Sequence, residues 1–501
     1  MVLARRKFTA VSVALIILFA VTRAPEILTA QAKPDELVVI TSVKSDMERL
    51  ALESVTGKFK EWYKNQGQNI SIRIIQIEME SLLPTIRAWA GKPNATILWG
   101  ASPDLIDALV SKDLIEQYEI PDFDKYPSDL AGNKLKDTGG HFYAFSLSGL
   151  GIVWYDTMSH VSPPQRWDDL LDQRYKGNIT LTTPSESGLM HHLVELLLQQ
   201  KESYGWSYWR NLVKNVGKWS SSSFGVYQSV VQEDAVIGVA LTEAFALRGM
   251  LAGEDVHYKY LDTNTMIPSL IAILKGAPNI EVGKKFVEYI TSKEGQKELA
   301  KRGYIPVSEE VKFSELASES LEAELMRNIT GFDNVWEIES KLRGLDFAKQ
   351  TERYNEVDKK FNRLKQAWLT FKEAEAELSK LEGQGFDVTA ARTTLREAEK
   401  EFDKGNYDEA KELAKGASAQ AIASAINATI SSATNATDRE IKSLSVKLDQ
   451  RLRELEALVY PTLVIAMVAL VVALASLFLV LRRYKSVEEL LTASAGDMVA
   501  E

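Results

Sequence analysis

Leu37-Val38-Val39-Ile40-Thr41-Ser42, followed at once by Ser45-Asp46-Met47-Glu48, decides the fold class. The first five residues are mostly β-branched and read as a strand. Ser45 and Glu48 have the spacing of a capping box, in which each side chain takes the other residue's orphan backbone amide. The box opens a helix that runs to about Tyr63. The same alternation continues outward. Ile70-Ser71-Ile72-Arg73-Ile74-Ile75 reads as a second strand and Ala95-Thr96-Ile97-Leu98-Trp99 as a third. Ser102-Pro103 is an N-cap followed by proline at the first helical position. Strands alternating with helices predict an α/β fold with a largely parallel sheet. The pattern lasts from about Lys33 to about 335, more than one sheet usually organises, so two lobes are expected, the second over roughly residues 149–262.

Residues 344–457 differ in kind. They contain no proline and are rich in Ala, Glu, Lys and Leu. Tyr354, Val357, Phe361, Leu364, Trp368 and Phe371 step by three and four, the seam of a coiled coil or helical hairpin. Leu381-Glu382-Gly383-Gln384-Gly385 and Lys404-Gly405-Asn406 interrupt it. An all-α stalk is expected here, with a compact helical bundle as the alternative. The chain ends set the expected location. Arg5-Arg6-Lys7, the apolar run Ala10–Val21 and Ala30-Gln31-Ala32 have the layout of an export signal over residues 1–32. Leu458–Leu481 is apolar and uncharged, about 36 Å long as a helix, and so expected to cross a membrane once. Arg482, Arg483 and Lys485 then place residues 482–501 in the cytoplasm and the bulk of the chain outside. Sequons at Asn69, Asn94, Asn178, Asn328, Asn427 and Asn435 all fall on that outer side and are glycosylation candidates.

Several function classes are excluded by composition. With 59 Lys+Arg against 69 Asp+Glu, a formal charge of -10, nothing favours nucleic acid as a partner. The absence of cysteine removes disulfides, thiolate metal sites, cysteine nucleophiles and a lipid-modified cysteine. No G-x-x-x-x-G-K-[ST] is present, and Gly149-Leu150-Gly151 lacks the third glycine of a dinucleotide loop. The neighbours His191 and His192 do not share a helix face as a metal pair would. No catalytic residue, metal site or cofactor is assigned.

A hydroxyl-rich loop opening a helix recurs at Thr41-Ser42, Ala101-Ser102, Ser185-Glu186-Ser187, Ser221-Ser222-Ser223 and Thr242-Glu243. Each helix start leaves about four amides unpaired beside a partial positive charge, which suits an anion or a polyhydroxyl ligand. Plain N-capping explains any one loop equally well. Glu243 is also a candidate for a cationic ligand group. Trp99 and Trp219 flank the loops and could stack on a ligand or fill the core.

Residues 35 to 310 resemble the family 1 extracellular solute-binding proteins of ABC importers, in the ferric-iron-type branch. The likeness is carried by Leu37 to Ser42, by Leu98-Trp99-Gly100 with Ala101-Ser102-Pro103, and by Gly140-His141-Phe142-Tyr143-Ala144-Phe145-Ser146. Further matches are Arg166-Trp167-Asp168-Asp169-Leu170-Leu171-Asp172, Tyr175-Lys176-Gly177-Asn178-Ile179 and Pro184-Ser185-Glu186-Ser187-Gly188. Ile271 to Ala277, Ser292-Lys293-Glu294-Gly295-Gln296 and Arg302-Gly303-Tyr304-Ile305-Pro306-Val307 complete the set.

The resemblance implies a type II, periplasmic-binding-protein-like head. Its two lobes close on a small solute and deliver it to an ABC permease and its ATPase. It also implies ligand contacts at the loops above, with Ser146 at the crossover. A C-terminal membrane anchor in place of a lipidated cysteine resembles an archaeal arrangement. One departure bears on the ligand. Ferric-binding members present adjacent tyrosines where this chain has Leu241-Thr242-Glu243-Ala244-Phe245, which disfavours bare Fe³⁺ and leaves an anion, a phosphorylated solute or an iron chelate. A ligand-sensing receptor acting through a membrane partner and a surface glycan-active enzyme are the alternative readings.

Overall fold

The computed structural model of the chain describes residues 33, 35–42, 46–155, 162–200, 204–434, 446–450 and 467–474. Two compact units divide at Asp358. In chain order the strands of the first unit are β1 (Glu36–Thr41), β2 (Ser71–Gln76), β3 (Ile97–Ala101), β4 (Asp129–Leu130), β5 (Asn133–Lys134), β6 (Tyr143–Gly149), β7 (Gly151–Tyr155) and β8 (Ile179–Leu181). They continue with β9 (Val216–Trp219), β10 (Ile237–Leu241), β11 (Val256–Tyr260), β12 (Met266–Ile273) and β13 (Ile305–Pro306). The helices that matter for the site are α1 (Asp46–Asn65), α2 (Pro103–Val110), α3 (Gly188–Gln199), α4 (Ser223–Val231), α5 (Glu243–Leu251) and α6 (Lys293–Ala300).

Two separate sheets result, one per lobe. The first has the order β13-β6-β12-β3-β1-β2 and the second β11-β7-β10-β8-β9, with β4 and β5 pairing apart. The opening stretch forms its expected strand: β1 is buried along its whole length and pairs in parallel with β2 and β3. The sheets are mixed, however, and not largely parallel. β12 runs antiparallel to β3 and β6, and β7 runs antiparallel to β10 and β11. The reason lies in the crossovers. The chain leaves the first sheet at Gly149 and enters the second at Gly151, then returns between Tyr260 and Met266. Both passages insert strands against the direction set by the strand–helix units.

The crossovers are tightly built. Leu150 N–H donates to Asn264 Oδ1 at 3.1 Å, tying the outgoing strand to the returning one. A Cβ on Gly149 would stand 2.4 Å from the Tyr260 ring, and one on Gly151 would stand 2.3 Å from the Lys259 carbonyl. The G-x-G that fails as a dinucleotide loop thus leaves room for β11, which packs against both glycines at the crossover.

The second unit contains most of α7 (Phe347–Gly383) together with α8 (Thr389–Lys404) and α9 (Tyr407–Thr434). Phe361, Leu364, Trp368, Phe371 and Leu378 on α7, Leu395 and Phe402 on α8, and several alanines of α9 are buried. Trp368 and Phe402 lie 5.3 Å apart between ring centres, and Phe402 and Tyr407 lie 5.7 Å apart. As far as Thr434 the segment is a folded helical bundle, the alternative to an extended stalk. The two sequence breaks are its turns, Gly405 taking a left-handed φ of 90° that favours glycine. The seam is satisfied within one chain, since an apolar stripe buries itself wherever turns let it fold back.

Residues 1–32, the tail 482–501 and Asn435 lie outside the described residues. Of Leu458–Leu481, residues 467–474 are described and helical. No helix among the described residues is long and apolar enough to cross a membrane.

Candidate functional site

A cavity of about 410 Å³ opens between the lobes. From the first lobe it is lined by Glu48 and Ala51 of α1, Leu147 and Ser148 of β6, Ile267 and Ser269 of β12, and Arg302-Gly303-Tyr304 after α6. From the second come Leu189 and His192 of α3, and Thr242 to Phe245 with Arg248 of α5. One guanidinium thus reaches the cavity from each lobe. Arg302 also donates through Nε to Ser54 Oγ at 2.9 Å, and Arg248 sits 4.8 Å over the Phe224 ring.

The second lobe's approach to the cavity is strained. β10 carries a bulge between Val239 and Leu241, and Ala240 adopts a positive φ of 61°. Such a conformation is uncommon for alanine and costs roughly 1–3 kcal/mol. It turns the chain so that Thr242 caps α5 and Glu243 begins it beside the crossover. Glu243 is buried. Its Oε2 accepts from Gly149 N–H at 3.1 Å and from the Tyr260 hydroxyl at 2.9 Å. Burial pushes its carboxyl up to about 7, with the hydrogen bonds working against the rise. A partly neutral acid thus sits where the lobes join. Burial also lowers His192, so that near neutral pH its imidazole is uncharged. Arg302 is also paired with Glu322, its Nη1 lying 3.5 Å from Glu322 Oε1, while Arg248 faces the cavity from the other lobe.

Of the residues singled out by sequence, Thr242 and Glu243 line this cavity. Ser187 and Ser223 meet in the second lobe, with Ser222 next in the chain, and none of the three lines this cavity. Ser187 Oγ and Ser223 Oγ are 2.6 Å apart, Ser187 caps α3 by accepting from Met190 N–H, and Ser222 caps α4 by accepting from Gly225 N–H. Ser185 Oγ lies 3.1 Å from Thr183 Oγ1 in the same loop, and Ser221 is exposed at the loop's start. Thr41 and Ser42 are buried at the end of β1. Ser102 caps α2 with its backbone only, ahead of Pro103.

Two of the candidates lie buried in the first lobe. Trp99 is 1% exposed and stacks on Phe145 with 3.8 Å between ring centres, so it fills the core of the first lobe. Ser146 is buried within β6 and paired on both sides, to Ser269 and to Pro306. Trp219 ends β9 and is absent from the lining of the cavity.

Arg248, Arg302, Tyr304 and His192 are among the lining residues that sequence reasoning missed as ligand contacts. Arg302 and Tyr304 stood inside a segment quoted for resemblance alone. No local pattern marks Arg248. The two neighbouring histidines are both covered: His191 is buried and His192 half-buried. No cluster of His, Cys, Asp or Glu able to hold a metal is found among the described residues.

Residues 92–335 match a family described as bacterial extracellular solute-binding protein. The phosphoglycerate transport regulatory protein PgtC of Salmonella typhimurium is 26% identical over 282 residues, which are 54% of this chain and 66% of that protein. The chain thus spans about two thirds of that relative's length. Among solved structures, an ABC transporter protein from Clostridium perfringens aligns over 66% of this chain and 99% of its own, at 21% identity and a TM-score of 0.50. The periplasmic binding protein AfuA from Actinobacillus pleuropneumoniae aligns over 65% and 98%, at 18% identity and a TM-score of 0.47. Residues 92–335 thus resemble a family of binding proteins that are not enzymes, and the Clostridium perfringens structure shares the fold of the head.

Proposed function

We propose that the head is the extracellular receptor of an ABC importer. It captures one small anionic solute between its lobes and hands it to a permease and its ATPase. The observation that carries the anion is the pair Arg248 and Arg302, one per lobe on one cavity. Drawing two guanidiniums together over a closing cleft is unfavourable unless a negative group lies between them. A phosphate or carboxylate supplies that charge, and the serine loops of the second lobe supply hydroxyl donors. The relative named for phosphoglycerate transport points to the same chemistry.

Anchoring by the C-terminal apolar segment belongs to this reading. Residues 467–474 form an apolar helical stretch on which Met467, Leu470, Val472 and Leu474 are exposed. Such a surface is stable in lipid and costly in water. Asn69, Asn178, Asn328 and Asn427 are exposed and open to glycosylation on the outer face. A second reading, a sensor that signals through a membrane partner, is favoured by the word "regulatory" in the relative's name.

Calorimetry with 3-phosphoglycerate and with uncharged glycerol tests the anion. The phosphorylated acid should bind and glycerol should not, and Arg248→Ala with Arg302→Ala should weaken binding at least tenfold. Equal affinity in the double variant removes the arginines from the site.

A further inference from the structure

The chain does not leave the head where the family match ends. Leu342 forms a parallel bridge with Asn264 on the returning crossover, and Arg343 N–H donates to the Asn264 carbonyl at 2.8 Å. Leu345 N–H then donates to Asn133 Oδ1 at 2.8 Å. Asn133 is itself fixed to the first lobe through Nδ2, at 2.7 Å from Thr265 Oγ1 and 2.8 Å from the Met266 carbonyl.

Beyond Leu345 the partners change lobe. Asp346 N–H donates to Gln199 Oε1 at 3.0 Å. The Gln350 amide meets His192 Nδ1, at 2.8 Å through Nε2 and 3.0 Å through Oε1. Arg353 stands 3.7 Å from the buried Glu195, and the Tyr354 ring lies 4.4 Å from that of His191. His191, Glu195 and Gln199 are spaced by four residues with His192 beside them, so one face of α3 meets the whole segment. The first turn of that same helix lines the cleft.

Part of this junction is left unsatisfied. Neither ring nitrogen of His191 nor Oε1 of Glu195 finds a hydrogen-bond partner among the described residues. Water would satisfy those atoms on release and so offset part of the free energy of separation.

We propose that residues 342–354 form a clasp across the two lobes. It sets their separation and orients His192 in the cleft. The clasp rests on the two-lobe fold alone and is independent of the solute's identity. The full chain has no cysteine, so Lys60→Cys on α1 and Gln228→Cys on α4, both exposed, take spin labels without background. Pulsed dipolar spectroscopy without added solute should give one narrow distance distribution. Adding Gln350→Ala, Arg353→Ala and Tyr354→Ala should broaden it and move its mean.

Superimposable distributions overturn the clasp. Should the triple variant lose its circular dichroism, Gln350→Ala alone is held to the same criterion. The His192 ring resonance should also shift in Gln350→Ala and stay unchanged in the exposed control Lys349→Ala. An unmoved resonance removes the orienting role.

Discussion

Replacing Glu243 by Gln tests how the lobes are joined. The Glu243 carboxyl is held at about 7 against an ordinary 4.5, because burial penalises its charged form. Below pH 4.5 folded and unfolded chains both carry the protonated acid, and the stabilisation of the neutral form is complete. Between 4.5 and 7 the unfolded chain sheds its proton while the fold retains it, so stability falls as pH rises. Above 7 the loss is complete. At about 1.4 kcal/mol per pH unit it amounts to about 3 kcal/mol. At about 2 °C per kcal/mol for a domain this large, that is roughly 6 °C in Tm.

Glutamine keeps an acceptor for Gly149 N–H and the Tyr260 hydroxyl and is neutral throughout. The comparison must be between variant and wild type at each pH, because His191 acts in the opposite sense. Burial lowers His191 to about 4, so its contribution is lost as pH falls below about 6.5. Melting followed by circular dichroism from pH 4.5 to 7.5 should show Glu243→Gln level with wild type at the acid end and more stable at the neutral end. A constant offset across that range would refute a buried, neutral acid at the crossover.

Three further substitutions separate packing from binding. His191→Leu should stabilise the fold at pH 7 by about 1 kcal/mol, for removing unsatisfied buried nitrogens, and so raise Tm, with the gain widening towards pH 4; equal or lower melting at pH 5 counts against it. Gly149→Ala places a Cβ against Tyr260 and should cost about 1–3 kcal/mol in a denaturant titration; a neutral result would mean that the crossover yields easily. Trp99→Ala should cost about 3–5 kcal/mol as a core truncation while leaving 3-phosphoglycerate affinity in the folded protein intact; a selective loss of affinity would restore Trp99 to the site.

Much of the fold was legible because the physics is local. The β-branched run Leu37–Thr41 and the spacing of apolar residues in 354–402 name their own periods. The glycines and asparagine at 381–385 and 404–406 mark turns. Whether the 354–371 seam stays extended or folds back is decided by contacts between segments tens of residues apart, which no local period records. The site was harder still. Thr242 and Glu243 could be found as a helix start, and the serine loops of the second lobe do gather. Arg248 and Arg302 lie on different lobes, and only the two crossovers bring them to one cavity. Trp99 showed the opposite failure: a large aromatic beside a ligand loop is chemically suited to stacking, yet its area is best buried against Phe145.

The most direct measurement is mass spectrometry of small molecules released by denaturing the purified wild-type chain and the Arg248→Ala/Arg302→Ala double variant, prepared side by side from the same cells. The account predicts an anionic solute near one per chain from the wild type and its loss from the variant. Equal recovery from both would contradict a cleft that clamps its solute between opposed arginines.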